Sequence, residues 1–464
     1  MPVIATRNSA APQGSYDPAK LQLPSFVTAV ARFRDGSDTP RAFLERCLET
    51  ISARDTEVQA FVCVNERTAR IAADASTGRY RCARPLSPID GCPIGVKDMI
   101  ETIDMPTRMN SPIYEGFTSL RDAACIHALR KGGAVILGKT WMPELAMGKS
   151  GPTRNPFDLA RTPGGSSSGS GACVGAGMVP VAIGNQTGGS LIRPSSYNGI
   201  YGFKPTHGAL NVGGVFPIAP SQDHIGPMAA TLADAWLTAQ QISERAGGSS
   251  GHPGLTGTAE LPAPIKPQRL VHLRTLGWRE LDAGSLQAFE MFLSRLRAAG
   301  VEVASESDSA DIAALERLLE DASAISNDII MYEARWPLLA DLDARPGSIG
   351  ERVMERLARG IEMAPADYRA ALQRRDRIRH KVAEVASGAS CFVTLASSGP
   401  APTGHGDTGS RAFLSPWSMV GGPSFSLPLL SVDQMPLGIQ LMAIPDSDER
   451  LTGIAHWICR LLQV

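Results

Sequence analysis

Three residues of this sequence could form a catalytic serine site, although they lie far apart along the chain. Lys97 follows an apolar segment, Ser166 lies in the glycine–serine cluster 164–171, and Ser190 ends the turn 187–190. A serine hydroxyl is a poor nucleophile at neutral pH and needs a base within hydrogen-bonding distance. Because no histidine lies in the glycine–serine region, a desolvated lysine could be that base, with a second serine passing the proton.

The turn that contains Ser190 could also stabilise negative charge. Thr187, Gly188, Gly189 and Ser190 offer consecutive backbone N–H groups, as an oxyanion hole requires. The alternative is a linker of two flexible glycine–serine tracts. The apolar segment 178–183 between the two clusters argues against a linker, so the residues favour acyl transfer.

The elements that would position these residues follow an α/β pattern. Segment 93–100 reads as a buried strand with Lys97 and Asp98 near its end, where α/β folds place chemistry. A solvated strand end carrying an ion pair is the alternative. Segment 178–183 reads as a second buried strand, leading toward the turn. Alternating strands and helices along the rest of the chain predict an α/β sheet with helices on both faces.

Composition predicts a large single domain. The chain has 464 residues, of which 43% are hydrophobic, which is enough for a substantial core. We expect residues 1–20 to form a flexible tail and residues 21–464 to form one domain. Residues 308–387 are strongly helical in pattern, and we expect the part from 320 to 387 to contribute to a substrate pocket.

Charge and composition exclude several classes of function. The net charge is −1 and aromatic residues make up 6%, so the chain lacks the basic field and the stacking platforms of nucleic-acid-binding proteins. No apolar run is long enough to span a membrane. The cysteines and histidines are scattered without metal-ligand spacing, and no secretory signal is evident. We therefore expect a cytoplasmic protein with reduced thiols rather than a disulfide framework or a zinc site.

One motif points to a different chemistry. Residues 133–140 match the nucleotide-binding pattern G-x-x-x-x-G-K-[ST]. The four residues between the glycines are all apolar and read as a strand rather than a phosphate-binding loop. Nucleotide binding is therefore the weakest of the alternatives.

The glycine–serine region in combination with other segments resembles the amidase signature family of serine hydrolases. The resemblance rests on GGSSSGSG at 164–171, TGGS at 187–190, the IRP and GFKPT that follow, and PIGVKD at 93–98. It extends over about residues 25–464. It implies a single large mixed β-sheet covered by helices on both faces.

The resemblance also implies a role for each candidate residue. Ser190 matches the nucleophile, Ser166 the bridging serine that follows a cis peptide bond, and Lys97 the base. The N–H groups of Thr187, Gly188, Gly189 and Ser190 match the oxyanion hole. The implied reaction is hydrolysis of an amide through an acyl-enzyme on the serine, without a metal or cofactor.

The nucleophile loop departs from the commonest family pattern. Gln186 stands where aspartate is usual, four residues before the nucleophile, and Asn185 stands where threonine is usual. The family's arginine usually follows the nucleophile by two residues, whereas here Arg193 follows Ser190 by three. This form resembles the malonamidase-type branch, in which the matching arginine contacts a substrate carboxylate. Arg193 is therefore a candidate substrate anchor, and a structural salt bridge is the alternative. We also expect Met147, Gly148 and Gln186 to contact the substrate.

The resemblance leaves the substrate open. The main expectation is a small-molecule amide, with hydrazides and ureido acids as related substrates. A second alternative is the A-type subunit of a tRNA-dependent amidotransferase, which works in a complex. For the main expectation we predict a small-molecule substrate, no nucleic acid or membrane partner, and a chain that can form a homodimer.

Overall fold

The computed structural model describes residues 15–463. In this part of the chain a single sheet contains eleven strands. They are β1 (Phe61–Val64), β2 (Pro93–Lys97), β3 (Val135–Thr140), β4 (Val181–Gln186), β5 (Tyr201–Lys204), β6 (His224–Ala229), β7 (Arg269–His272), β8 (Glu302–Ala304), β9 (Cys391–Leu395), β10 (Ser424–Val432) and β11 (Met435–Met442).

The helices connect these strands and pack around them. They are α1 (Phe26–Asp35), α2 (Pro40–Val58), α3 (Glu66–Arg81), α4 (Ala124–Lys131), α5 (Ser168–Gly175), α6 (Ile192–Tyr197), α7 (Leu232–Ala246), α8 (Ala283–Ala298), α9 (Ala310–Leu319), α10 (Ala322–Glu333), α11 (Arg335–Ala344), α12 (Glu351–Glu362), α13 (Pro365–Ala386), α14 (Ser415–Val420) and α15 (Asp448–Leu462). None of the helices in the described residues is long and apolar enough to cross a membrane.

The sheet is mixed, which confirms the predicted fold class. Its strand order is β1-β3-β2-β4-β6-β5-β10-β11-β9-β7-β8. Strand β2 pairs in parallel with β3 and β4, and β7 pairs in parallel with β8 and β9, whereas the remaining pairs are antiparallel. Every residue of β2, β3, β4, β6 and β11 is buried, so both faces of the sheet are covered there.

Strand β4 lies three residues further along the chain than the predicted segment 178–183. Met178 and Val179 instead follow the end of α5, and Pro180 has no N–H to donate. The strand continues through Gly184, Asn185 and Gln186 because these residues pair with β6. Polar residues near the end of β4 are thereby fixed in extended conformation next to the turn.

The parallel pairing of β2 and β4 brings the candidate site residues together. Ile94 to Val96 of β2 lie opposite Val181 to Ile183 of β4. The carboxyl ends of the two strands therefore lie at the same edge of the sheet. Lys97 ends β2 there, and Gln186 ends β4 immediately before the turn 187–190.

The nucleotide-binding pattern at 133–140 is occupied by β3. Lys139 is fully buried in this strand, and its Nζ donates hydrogen bonds to the Ile100 carbonyl and to Thr107 Oγ1, both at 2.8 Å. Its Nζ also lies 3.3 Å from Asp98 Oδ1. The residue thus ties β3 to the segment after β2, and the backbone at this pattern is a strand rather than a phosphate-binding loop.

The packed body begins before the expected boundary at residue 21. Tyr16 is buried against Phe157, and its hydroxyl donates a hydrogen bond to the Pro428 carbonyl at 2.6 Å. The backbone N–H of Tyr16 also donates to the Gln434 carbonyl. Residues 1–14 of the predicted tail lie outside the described residues.

Candidate active site

The Lys97 amine lies in hydrogen-bonding contact with two polar side chains. Its Nζ is 2.6 Å from Ser166 Oγ and 2.5 Å from Asn185 Oδ1. The side chain is fully buried, and burial holds the pKa of Lys97 well below its usual value, with smaller effects from Asp223, which opposes the shift, and Arg193, which adds to it. A neutral amine can donate one hydrogen to Asn185 and accept the Ser166 hydroxyl proton, which is the arrangement a general base needs.

The loop that carries Ser166 is fixed on both sides. The Gly165–Ser166 peptide bond is cis, as the resemblance implies. The Gly165 carbonyl accepts a hydrogen bond from Arg193 Nη2 at 2.5 Å, and Ser168 Oγ donates to the Gly164 carbonyl at 2.7 Å. Helix α5 begins directly after this loop, so Ser166 sits on rigid backbone rather than on a mobile connection.

The turn 187–190 is held by side chains from its own loop and from other loops. Gln186 Oε1 accepts the N–H groups of Leu191 and Ile192, and its Nε2 donates to Ser418 Oγ at 2.9 Å. Thr187 Oγ1 donates to Asp223 Oδ1 at 2.6 Å. Burial raises the pKa of Asp223 to about 6, although the hydrogen bonds it accepts oppose this shift.

The N–H groups of this turn are available to a ligand. Among residues 15–463, no hydrogen bond uses the backbone N–H of Gly188, Gly189 or Ser190. Ser190 is partly exposed, whereas its neighbours in the turn are buried. The Ser190 carbonyl accepts the Ser167 N–H at 3.1 Å, which joins the two serine loops directly. Unpaired N–H groups beside a partly exposed serine are suited to stabilise an oxyanion.

A cavity of about 300 Å³ opens over these residues. Ser166, Thr187, Gly188 and Ser190 line one side of it. In the described residues the Ser166 and Ser190 hydroxyls are not hydrogen-bonded to each other, although both face this cavity. Catalytic hydrogen bonds are often long or poorly aligned before substrate binds, and we expect the bond between these two hydroxyls to form in the substrate complex.

Of the four expected substrate-binding residues, Met147 and Arg193 line the cavity and the other two do not. Met147 lines the cavity, but Gly148 does not, since a Cβ there would lie 2.7 Å from Val353 Cγ2 beneath α12. Gln186 also lies outside the lining, because its amide is used to hold the turn. Neither Gly148 nor Gln186 lines the cavity, so contact of these two residues with the substrate stays a prediction.

Arg193 lines the cavity but is already bonded to protein. Its Nη1 donates to the carbonyls of Gly409 and Ser410, and its Nη2 donates to the Gly165 carbonyl and to Thr408 Oγ1. Its Nε has no hydrogen-bond partner among the described residues. The side chain thus connects the Ser166 loop to segment 408–410 through carbonyl groups rather than through a salt bridge.

Further residues that line the cavity lie outside the individual site residues named from the sequence. They come from α10, α12 and a loop before α14, namely Ile330, Met331, Arg352, Arg356, Asp407, Thr408, Gly409, Ser410 and Arg411. Helix α12 has a charged face that is typical of a solvated helix, so its pattern gives no sign of a pocket. Residues of α10 and α12 in the helical region 320–387 line the cavity, and a contribution of this region to a substrate pocket stays a prediction.

The chain is similar to known proteins in family pattern, in sequence and in fold. The family model described as Amidase matches residues 42–452. The A-type subunit of the glutamyl-tRNA(Gln) amidotransferase of Synechococcus sp. (strain RCC307) is 32% identical over 91% of this chain and 94% of its own length. Its counterpart in Mycobacterium bovis (strain BCG / Pasteur 1173P2) is 33% identical over 89% of this chain and 93% of its own. The structure of a peptide amidase from Stenotrophomonas maltophilia superimposes with a TM-score of 0.81 at 26% identity, covering 96% of this chain and 98% of that one.

Proposed function

This chain belongs to the amidase family and is an enzyme of amide C–N bonds, and we propose that it hydrolyses a small-molecule amide through an acyl-enzyme on Ser190. The observation that carries the proposal is the contact of 2.6 Å between Lys97 Nζ and Ser166 Oγ in a buried site, beside a cavity that Ser190 also lines. Hydrazides and ureido acids are related substrates, because cleaving them also breaks a C–N bond.

In the first half of the reaction Ser190 Oγ attacks the amide carbonyl carbon. The hydroxyl proton passes to Ser166, whose own proton passes to the neutral Lys97 amine. Negative charge then develops on the carbonyl oxygen, where the N–H groups of Gly188, Gly189 and Ser190 stabilise it.

In the second half the C–N bond breaks and the relay runs in reverse. Lys97 returns its proton through Ser166 to the leaving nitrogen, which departs as ammonia or an amine. Water then attacks the Ser190 ester with the same relay acting as base, and the acid product leaves. Asn185 holds the Lys97 amine in place throughout, because its Oδ1 accepts an N–H from either the neutral or the charged amine.

The test is ammonia release by the purified chain from a panel of primary amides. The wild-type protein is expected to release ammonia, and Ser190→Ala is expected to lose this activity by at least about a thousandfold while remaining folded. Hydrolysis that survives unchanged in Ser190→Ala would overturn the proposal.

A second candidate function is that of the A-type component of a tRNA-dependent amidotransferase, and the curated relatives favour it. In that case the purified chain alone would be a poor amide hydrolase, and activity would depend on partner proteins and glutamine. Steady hydrolysis of small amides other than glutamine by the chain alone favours the hydrolase. Glutamine hydrolysis that appears only when partner proteins are added favours the amidotransferase.

We propose a cytoplasmic enzyme that needs neither a nucleic acid nor a membrane partner. The proposal rests on the chain's net charge of −1, because a sequence without an excess of basic residues lacks the positive field that attracts nucleic acid or an anionic membrane surface. A purified chain that turns over small amides without added macromolecules would support it.

A further inference from the structure

The walls of the active-site cavity carry an excess of positive charge. Four arginines line it, namely Arg193, Arg352, Arg356 and Arg411, against one carboxylate, Asp407. The remaining lining groups are neutral. A concave site with one sign of charge concentrates ligands of the opposite sign.

Two of the four guanidinium groups are already engaged by the protein. Arg193 donates to three carbonyls and one hydroxyl. Arg352 Nη2 lies 3.3 Å from Asp407 Oδ2, and its Nη1 donates to the Gly406 carbonyl at 3.0 Å. Arg193 and Arg352 thus have protein partners in the absence of a ligand, whereas the charge of Asp407 acts on Arg356 and Arg411 without a hydrogen bond to either in the part of the chain that the structure describes.

The other two guanidinium groups lack such partners. Within residues 15–463, Arg356 has no hydrogen bond or ion pair, and Arg411 has only a hydrogen bond of 3.4 Å to Asn327 Oδ1. Burial lowers the pKa of Arg356 to about 10, helped by the nearby charges of Arg411 and Arg352. Burial and the charge of Arg193 lower the pKa of Arg411 to about 10 as well. Both side chains are half-buried on the cavity wall and remain charged at neutral pH, so their free N–H groups are available to an anion that enters the cavity.

Arg411 lies next to the reaction centre. A Cβ added to Gly188 would lie 3.1 Å from Arg411 Nη1 and 3.5 Å from Ile330 Cδ1. An anion bound by this arginine is thus close to the turn that holds the scissile carbonyl. The cavity volume is at the lower end for small-molecule sites, so the anion and the amide must belong to one compact molecule.

We propose that Arg356 and Arg411 form the anion-binding pair of this site and that the substrate is a compact amide whose acyl part carries a carboxylate. This inference rests on the proposed function and names its substrate class. The substrate anchor expected at Arg193 is thus assigned instead to Arg356 and Arg411, which lie far from Arg193 in the sequence. Guanidinium forks match carboxylate oxygens in geometry and charge.

The test compares charged amides with neutral partners of the same shape. Succinamate is paired with 4-oxopentanamide, and glutaramate with 5-oxohexanamide, with ammonia release as the readout. We expect kcat/KM of the wild-type protein to be at least about 30-fold higher for a carboxylate substrate than for its neutral partner. Absence of this preference overturns the proposal.

Substitution of Arg356 and of Arg411 tests whether these two residues cause the preference for carboxylate substrates. Arg356→Gln and Arg411→Gln are expected to lower kcat/KM for the carboxylate substrates by at least about 30-fold, and for the neutral partners by less than about 3-fold. Arg359→Gln is the matched control on α12, since Arg359 pairs with Asp328 at 2.5 Å outside the cavity. An equal loss for charged and neutral substrates, or the same loss in Arg359→Gln, overturns the proposal.

Two further measurements keep the result interpretable. If a glutamine variant does not fold, Arg356→Lys and Arg411→Lys retain the charge and are expected to keep part of the preference. Ser190→Ala separates the two proposals. Amide hydrolysis that survives in Ser190→Ala contradicts the proposed function, whereas loss of hydrolysis together with no carboxylate preference contradicts only the anion-binding pair.

Discussion

Lys97 occupies a position in which a charged lysine would be unfavourable. It is fully buried, and its two hydrogen-bond partners are neutral side chains, Ser166 and Asn185. Desolvation therefore favours the neutral amine at the pH where an ordinary lysine is charged. The proposed relay depends on this, because only the neutral amine can accept a proton from Ser166.

The lowered pKa of Lys97 predicts a pH-dependent contribution to stability. In the unfolded chain a lysine titrates at about 10.4, so between the lowered native value and that pH the unfolded state binds more protons. The free energy of unfolding then rises with pH, by up to about 1.4 kcal/mol per pH unit. We expect the difference in unfolding free energy between wild type and Lys97→Met to become more favourable to wild type as pH rises through this window.

Denaturant unfolding of the two proteins across that pH range measures this difference. Lys97→Met should also be inactive in ammonia release. A difference that stays constant with pH would show that Lys97 keeps its charge in the folded protein, contrary to its proposed role as the neutral base.

The residues of the proposed relay could be singled out from the sequence, but the arginines of the proposed anion-binding pair could not. Ser166 and Ser190 lie in glycine-rich motifs, and Lys97 lies at the end of a recognisable strand. Arg356 and Arg411 carry no local pattern, because one lies on a charged helix face and the other in a loop. Their meeting at the cavity is a consequence of the tertiary fold alone.

At the scale of the elements, α12 is attached to the active-site region through its N-terminus. Gly350, the residue before this helix, donates its N–H to Glu144 Oε1 at 3.0 Å. Glu144 is buried and lies in the segment that also contains Met147. A carboxylate at this place satisfies a free helix N–H and interacts favourably with the helix dipole.

Glu144→Ala is expected to loosen α12 and so displace Arg356. The predicted cost is about 1–2 kcal/mol of unfolding free energy, together with a higher KM for carboxylate substrates and a smaller change in kcat. Glu351→Ala is the control, since Glu351 is an exposed acid in the first turn of the same helix. Thermal unfolding and steady-state kinetics measure both effects, and equal behaviour of the two variants would contradict this role of Glu144.

Most of the strands could be predicted, while their exact limits depend on pairing. The apolar segments 391–395, 423–430 and 436–442 read as strands in the sequence and correspond to β9, β10 and β11. Strand β4 extends into Gly184–Gln186 because β6 supplies hydrogen bonds to polar residues that would otherwise favour a loop. Such pairing between distant segments leaves no local signal.

At the scale of the whole molecule, the sheet joins the two ends of the chain. Strands β10 and β11 lie in the middle of the sheet, between β5 and β9, although they are close to the C-terminus. Tyr16 packs near this region through its bond to the Pro428 carbonyl. The alternation of helices and strands predicts a large α/β sheet, but the insertion of late strands between early ones is decided by long-range packing.

Tyr16→Ala tests whether the segment before residue 21 is part of the folded body. The change removes a buried ring and a buried hydrogen bond, so we expect a loss of about 3 kcal/mol of unfolding free energy, with catalytic constants unchanged. Leu120→Ala is the control, because Leu120 is 96% exposed and should change stability by less than about 0.5 kcal/mol. A Tyr16→Ala protein as stable as wild type would instead support a loose tail up to residue 20.

The central claim is that Ser190 is a nucleophile activated by Lys97 through Ser166. The most direct measurement is intact-protein mass spectrometry after treatment with a small fluorophosphonate, followed by peptide mapping, because this reagent reports an activated serine without requiring the natural substrate. We predict one adduct per chain, located on Ser190, absent in Ser190→Ala and formed at least about a hundredfold more slowly in Lys97→Met and Ser166→Ala. An adduct on another residue, or labelling of Ser190 that is equally fast in Lys97→Met, would contradict the claim.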